Sequence, residues 1–76
     1  LVVLPHDGYG GTWRLLTAFA RTGRCRVLFV DQRDPAALAA ALAQRPKLVW
    51  AESPSNPLLR LVDLPALAAA SHAAGA

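Results

Sequence analysis

The sequence predicts an α/β fold: a three-layer, mostly parallel sheet with helices on both faces. Three observations carry this expectation. Short apolar runs at 1–4, 26–30 and 47–51 have the length and β-branched content of strands. They are apolar nearly throughout rather than alternating, as strands covered on both faces are. Each spacer between them holds a helical pattern, and strand–helix–strand units close most simply as right-handed parallel crossovers.

Each element follows in chain order. Leu1-Val2-Val3-Leu4 reads as a strand closed by Pro5, and 11–22 as a helix with Leu15, Leu16, Phe19 and Ala20 on one face and Gly23 as its stop. Val27-Leu28-Phe29-Val30 is the second strand. Asp34-Pro35 opens the second helix, because Asp caps free N–H groups and Pro suits the first helical position. That helix carries Leu38, Ala41 and Leu42 on one side and stops before Pro46. The third strand covers 47–51. Asp63 begins the third helix, with Leu64, Leu67, Ala68 and Ser71 on one face and Gly75 at its end. The alanine-rich stretches need no special role, since Ala is the best helix former and packs closely on a sheet.

Composition bounds the functional classes. The chain has 76 residues, enough for one small domain, yet 54% are hydrophobic, above the roughly 45–50% of an average globular domain. A small chain with surplus apolar residues, no Met and a strand-like start reads as an internal piece of a larger protein whose partner surface lies elsewhere. The net charge of +3 comes from Arg14, Arg21, Arg24, Arg26, Arg33, Arg45, Lys47 and Arg60, scattered in sequence without the clustered face that phosphate tracking needs. Nucleic acid is therefore not an expected partner. The single cysteine, Cys25, begins an apolar run and reads as a small buried hydrophobe. No apolar run approaches the roughly 18 residues of a membrane span, and no signal peptide is visible. The expected location is cytoplasmic, with no membrane partner.

Two polar motifs follow the first and third strands. If the strands are parallel, both motifs lie at the carboxyl edge of one sheet, where open α/β folds bind ligands. In Tyr9-Gly10-Gly11-Thr12 the glycines permit close backbone approach. The tyrosine ring suits stacking on a flat heterocycle; the plain alternative is a cap over the core above an ordinary turn. Arg14, in the first turn of the following helix, sits unfavourably at the positive end of the dipole. That points to a substrate carboxylate or an internal acid, unless solvent alone accounts for it. In Glu52-Ser53-Pro54-Ser55-Asn56-Pro57 two prolines stiffen the loop, presenting Glu52 and Asn56 in fixed directions or simply making a rigid turn. Neither GxGxxG nor GxxxxGK[ST] is present. His6 and Asp7 have no third group to complete a triad, and no spacing suits a metal. His72 near a helix end, and the 31–34 segment with its helix-capping Asp34, read as structural.

With those motifs in view, the chain resembles the Cys/Met-metabolism enzymes that depend on pyridoxal phosphate. Pro5-His6-Asp7-Gly8-Tyr9-Gly10-Gly11-Thr12-Trp13-Arg14-Leu15 is similar to the segment around that family's cofactor-stacking tyrosine. Glu52 to Leu59 is similar to its E-[TS]-P-[SA]-N-P hallmark. The resemblance covers essentially the whole chain, and Val27–Asp31 and Pro46–Trp50 share in it.

The resemblance implies about three strand–helix units of the aspartate-aminotransferase-like fold, with 1–76 an incomplete part of the large, cofactor-binding domain. It implies pyridoxal 5′-phosphate as cofactor. Tyr9 would stack on its ring and assist proton transfer at the substrate amine. Arg14 would meet substrate or a neighbouring acid in the site wall. Asn56 would lie near the cofactor's 3-hydroxyl and the substrate, with Glu52 supporting that loop. The implied partners are small amino-acid substrates, and the implied full-length assembly is a homotetramer. The implied activity exchanges the γ-substituent of an O-acylhomoserine for cysteine in methionine and transsulfuration metabolism, with γ-lyase, β-lyase and sulfhydrylase siblings as alternatives. A non-catalytic Rossmann-like binding module or an inactive remnant is the alternative of another class.

No catalytic residue is assigned within these 76 positions. Lys47 is the only lysine, and its surroundings are unlike the family's serine- and threonine-flanked Schiff-base lysine. By family spacing, the aspartate that pairs with the pyridine nitrogen would follow Ala76, and the glycine-rich phosphate-binding segment would precede Leu1.

Overall fold

A computed structural model describes residues 1–55 and 57–76. The order of elements is β1 (Val2–Pro5), α1 (Gly10–Arg21), β2 (Val27–Val30), α2 (Pro35–Leu42), β3 (Leu48–Val49) and α3 (Leu64–Ala73). The three strands form one sheet in the order β2-β1-β3. Both pairings are parallel, with Val3 opposite Leu28 on one side and Val49 on the other.

This order follows from where the apolar side chains must go. β1 is the central strand, and its Val3, Leu4 and Pro5 are all buried. The step from β1 to β2 goes one way across the sheet, and the step from β2 to β3 returns past β1. Right-handed crossovers then place α1 and α2 on opposite faces. Side-chain packing agrees. Val3 and Val30 cluster with Ala41 of α2, flanked by Leu28, Ala37 and Val49. On the other face, Phe29 meets Trp13 of α1 with ring centroids 6.2 Å apart. α3 lies on the α2 side: Leu38 and Leu42 line one groove together with Ala66, Leu67 and Ala70. The sheet therefore has helices on both faces.

The helix ends obey local chemistry. Asp34 accepts from the Ala36 and Ala37 amides at 3.0 and 3.4 Å, and Asp63 from the Ala66 amide at 3.1 Å, each satisfying donors the helix itself cannot. Gly23 and Gly75 follow the ends of α1 and α3 at φ +73° and +87°, the left-handed turn that glycine makes without steric cost.

Three expectations need correction. The third strand is two residues long, not five. Its ladder reaches only as far as Lys47 N–H to the Leu1 carbonyl and Trp50 N–H to the Val3 carbonyl. Leu48 and Trp50 are correspondingly 46% and 40% exposed, so this strand is not buried on both faces. On α1, Leu16 is buried but Leu15 is half-exposed; the sheet-facing stripe is narrower than the periodicity implies. Cys25 is half-buried rather than buried, since it sits in the turn before β2.

The fold also gathers cations that the sequence scatters. Arg21, Arg24, Arg26, Arg45 and Lys47 all fall at the amino edge of the sheet. Arg21, Arg24 and Arg45 stand beside the C-terminal ends of α1 and α2, where the helix dipole favours positive charge.

Burial ranks the side chains for mutation. Leu4 is 1% exposed at the centre of the sheet, whereas Leu59 is 67% exposed. Leu4→Ala is expected to cost about 2–5 kcal/mol. Leu59→Ala should stay within about 0.5 kcal/mol. Urea unfolding of both variants, followed by circular dichroism, checks the ranking.

Candidate functional site

β1 and β3 are neighbours whose connections leave toward opposite faces: β1 feeds α1, and β3 feeds α3. Between their carboxyl ends lies the crevice that such a switch of direction opens. The loop 6–9 rises on one side of it and the loop 50–62 on the other. The two motifs singled out in the sequence therefore converge, as the parallel arrangement predicts.

One hydrogen bond joins them. The Tyr9 backbone N–H donates to Oε2 of Glu52 at 2.7 Å, across 43 residues of sequence. Tyr9 occupies the N-cap position of α1, yet its side chain makes no capping bond, and the first turn of α1 contains no acid. Glu52 supplies that missing negative charge from the other loop, at the positive end of the helix dipole. Its second oxygen, Oε1, accepts from the indole N–H of Trp50 at 3.2 Å, so the carboxylate is held at both ends. The expected role of Glu52, supporting its own loop, is thereby widened: it reaches across to hold the tyrosine loop.

Two glycines make this approach possible. A Cβ at Gly8 would lie 3.1 Å from both Oε2 of Glu52 and Cγ of Pro5, crowding the carboxylate away. A Cβ at Gly11 would come within 3.0 Å of the Tyr9 ring. The ring thus lies over bare backbone, and half of the residue is exposed. A cavity of about 290 Å³ opens here, lined by Tyr9, Gly10, Arg14, Phe29 and Glu52 among others. Arg14 folds back over Gly10, its Nη1 3.3 Å from where a Cβ would be. It makes no ion pair among the described residues. Asn56 lies outside the described residues.

Other polar side chains here were not assigned a role from sequence. Gln32, only 6% exposed, donates to the Trp50 carbonyl at 2.9 Å from the end of β2. Ser55, 2% exposed, donates to Asp7 at 3.2 Å. Neither residue type by itself signals burial, so only the tertiary arrangement finds their partners. Asp31 at the end of β2 is held below the ordinary carboxylate range by the Arg33 side chain that donates to it.

A flat, anionic cofactor fits this arrangement: an open aromatic face on bare backbone, a guanidinium without an ion pair among the described residues, and a cavity beside both. The chain carries one lysine, Lys47, which lies at the opposite edge of the sheet. Five residues of extended chain, about 16 Å, separate it from Glu52.

Comparison with known proteins identifies the setting. All of 1–76 matches the Cys/Met metabolism PLP-dependent enzyme family. The chain belongs to that family. It is 64% identical over 64 residues to a cystathionine gamma-synthase of Escherichia coli K12, covering 84% of this chain and 17% of that protein. It is 38% identical over 74 residues to a cystathionine gamma-lyase of Bos taurus, covering 97% of this chain and 18% of that one. A crystal structure of cystathionine gamma synthase from Xanthomonas oryzae pv. oryzae in complex with cystathionine superposes with a TM-score of 0.97 at 52% identity, over 99% of this chain and 19% of the other. The chain thus spans less than a fifth of the length of these relatives.

Two measurements test the site's internal bonds. Glu52→Ala should raise hydrogen exchange at the Tyr9 amide about tenfold, the equivalent of about 1.4 kcal/mol, while the Val30 amide stays protected. Arg33→Ala should raise the Asp31 pKa, read by NMR titration of its carboxyl carbon. Because folding lowers this pKa, the associated stabilisation is present above the unfolded-state value and fades as pH falls through the folded one.

Proposed function

We propose that this chain forms one wall of the pyridoxal phosphate site of a cystathionine γ-synthase-like enzyme. The complete protein would exchange the acyloxy group on Cγ of an O-acylhomoserine for the sulfur of cysteine. The Cγ–O bond breaks, the Cγ–S bond forms, and the acyl group departs as a carboxylic acid with the thiol proton. The observation that carries this reading is the 2.7 Å bond from Tyr9 N–H to Glu52, which unites the family's two hallmark segments at a ligand-binding edge. When bound, pyridoxal phosphate supplies an electron sink for charge developing at the substrate α-carbon.

The chain's own residues would bind and orient. Tyr9 offers its ring as a stacking face, and its phenolic oxygen can take and return a proton at the substrate amine. Arg14 offers its guanidinium to a substrate carboxylate, a match that its planar donors make bidentate. Glu52 fixes the height of the tyrosine loop. Asn56 would contact cofactor and substrate, as the resemblance implies. The 38% identity to a γ-lyase supports a second reading, in which the same wall serves cleavage at the Cγ–S bond of cystathionine.

The complete protein would be a cytoplasmic homotetramer. Large apolar side chains left exposed, Leu58, Leu59 and Leu61 among them, supply surface for further contacts of that kind. Taken alone, the 76 residues would be inactive, because Lys47 lies at the wrong edge to hold the cofactor covalently.

A chimera tests the proposal: this chain replaces the matching segment of the Xanthomonas oryzae enzyme. The expected product from O-acylhomoserine and cysteine is cystathionine, at a rate within about tenfold of the host's. Tyr9→Phe in the chimera should lower kcat/KM by about 100-fold, the size of a lost proton-transfer group. A folded chimera that retains pyridoxal phosphate but makes no cystathionine overturns the synthase reading. Saturable turnover by the isolated 76-residue chain would refute its predicted inactivity.

A further inference from the structure

We infer that Asp7, Ser55 and Arg60 form a clamp, centred on the buried Ser55, that locks the described residues of the 53–62 loop to the β1–α1 loop, making them positioning residues for the site. The inference rests on the functional reading above for its catalytic consequence, but the clamp itself is a matter of geometry.

Ser55 is the pivot. It is 2% exposed and uses every hydrogen-bonding group it has. Its N–H donates to the Arg60 carbonyl at 2.8 Å, and its carbonyl accepts from Leu59 N–H at 2.8 Å. Its Oγ accepts from Arg60 N–H at 3.0 Å and donates to Oδ2 of Asp7 at 3.2 Å. The same Oδ2 lies 3.7 Å from Nη1 of Arg60. One carboxylate oxygen thus accepts a hydrogen bond from a hydroxyl and faces a guanidinium, both from the other loop. A second bond, Val62 N–H to Oγ of Ser53 at 3.1 Å, closes the base of the loop.

The placement of Asp7 requires this arrangement. Its side chain is only 12% exposed, and a carboxylate so enclosed needs hydrogen bonds and a counter-charge. His6, whose Nδ1 is 3.8 Å from the other oxygen, Oδ1, is the remaining neighbour. The loop also holds Leu59 at φ +54°, a left-handed conformation that a leucine adopts only when its surroundings impose it. The bonds on either side of Leu59, both to Ser55, impose it here. Asp7 stands two residues before Tyr9, and Ser55 directly precedes position 56. The clamp therefore ties the segment next to Tyr9 to Ser55, independently of the Glu52 bond.

The experiment uses the chimera with the Xanthomonas oryzae enzyme and the variants Ser55→Ala, Ser55→Thr and Asp7→Asn. Hydrogen exchange without cofactor reads the clamp. Ser55→Ala and Asp7→Asn should speed exchange at the Leu59, Arg60 and Val62 amides at least tenfold, with Leu16 and Val30 unchanged, and Ser55→Thr should restore protection. Unaltered exchange in Ser55→Ala and Asp7→Asn overturns the clamp. Cofactor retention and the visible circular dichroism of bound pyridoxal phosphate read positioning. Ser55→Ala should weaken retention about tenfold, change that dichroism and raise KM more than it lowers kcat, and Ser55→Thr should reverse all three. Faster exchange with retention, dichroism and KM unchanged overturns the positioning role. A parent chimera that binds no pyridoxal phosphate sinks the functional reading instead, and exchange in that same protein still decides the clamp.

Discussion

The bond between the Tyr9 amide and the Glu52 carboxylate is the interaction on which the candidate site depends. It is a long-range bond between loops that, in a parallel sheet, would otherwise leave toward opposite faces. It also completes a helix whose own first turn has neither a capping side chain nor an acid. The tyrosine occupies the capping position, so its side chain is free to present a ring instead of a capping oxygen. Glu52, from the loop after β3, then supplies the negative charge that an Asp cap would ordinarily bring. A site that needs an aromatic face at a helix start gains it in this way while one amide of the helix end still finds a carboxylate partner.

A constraint of the architecture lies behind that bond. In a parallel sheet with antiparallel helices, every helix begins at the carboxyl edge and ends at the amino edge. The charges follow the dipoles. Asp34 and Asp63 cap α2 and α3, and Glu52 serves α1 from a distance. Arg21 and Arg45 stand by helix ends at the other edge. Arg14 is the departure: a cation in the first turn of α1, folded over Gly10 and without an ion pair among the described residues. A charge placed against the local field is where a bound anion has the most to offer, and this makes Arg14 the strongest polar feature of the cavity. The membership in a family of PLP-dependent enzymes gives that feature a chemical context.

Close packing at the loops depends on small residues and on buried hydroxyls rather than on large apolar contacts. Gly8 leaves room for the Glu52 carboxylate, and Gly11 for the Tyr9 ring. Ser55 donates to the Asp7 carboxylate and Gln32 to the Trp50 carbonyl, each across to another segment. The sheet beneath is apolar and conventional. What is particular to this chain is concentrated in the few residues that hold one loop against the other.

How much of this was legible in order along the chain differs by element. The strands, the helix starts at Asp34 and Asp63, and the glycine stops were readable, because capping and periodicity are local effects of neighbouring residues. The carboxyl-edge location of both motifs was readable as well, since parallel topology alone requires it. The two-residue length of β3 and the exposure of Leu48 and Trp50 were not, because pairing depends on what lies beside the strand in space. Nor were the roles of Asp7, Ser55, Gln32 and Arg60. Each acquires its place from a partner in another segment, 48 or 53 residues away for the clamp and 18 for Gln32. The sequence by itself determined the class of fold, the order of its elements and the chemistry on offer at one edge. Only the tertiary structure decided which of those groups meet, because long-range hydrogen bonds between loops are set by strand order and loop closure rather than by any local preference.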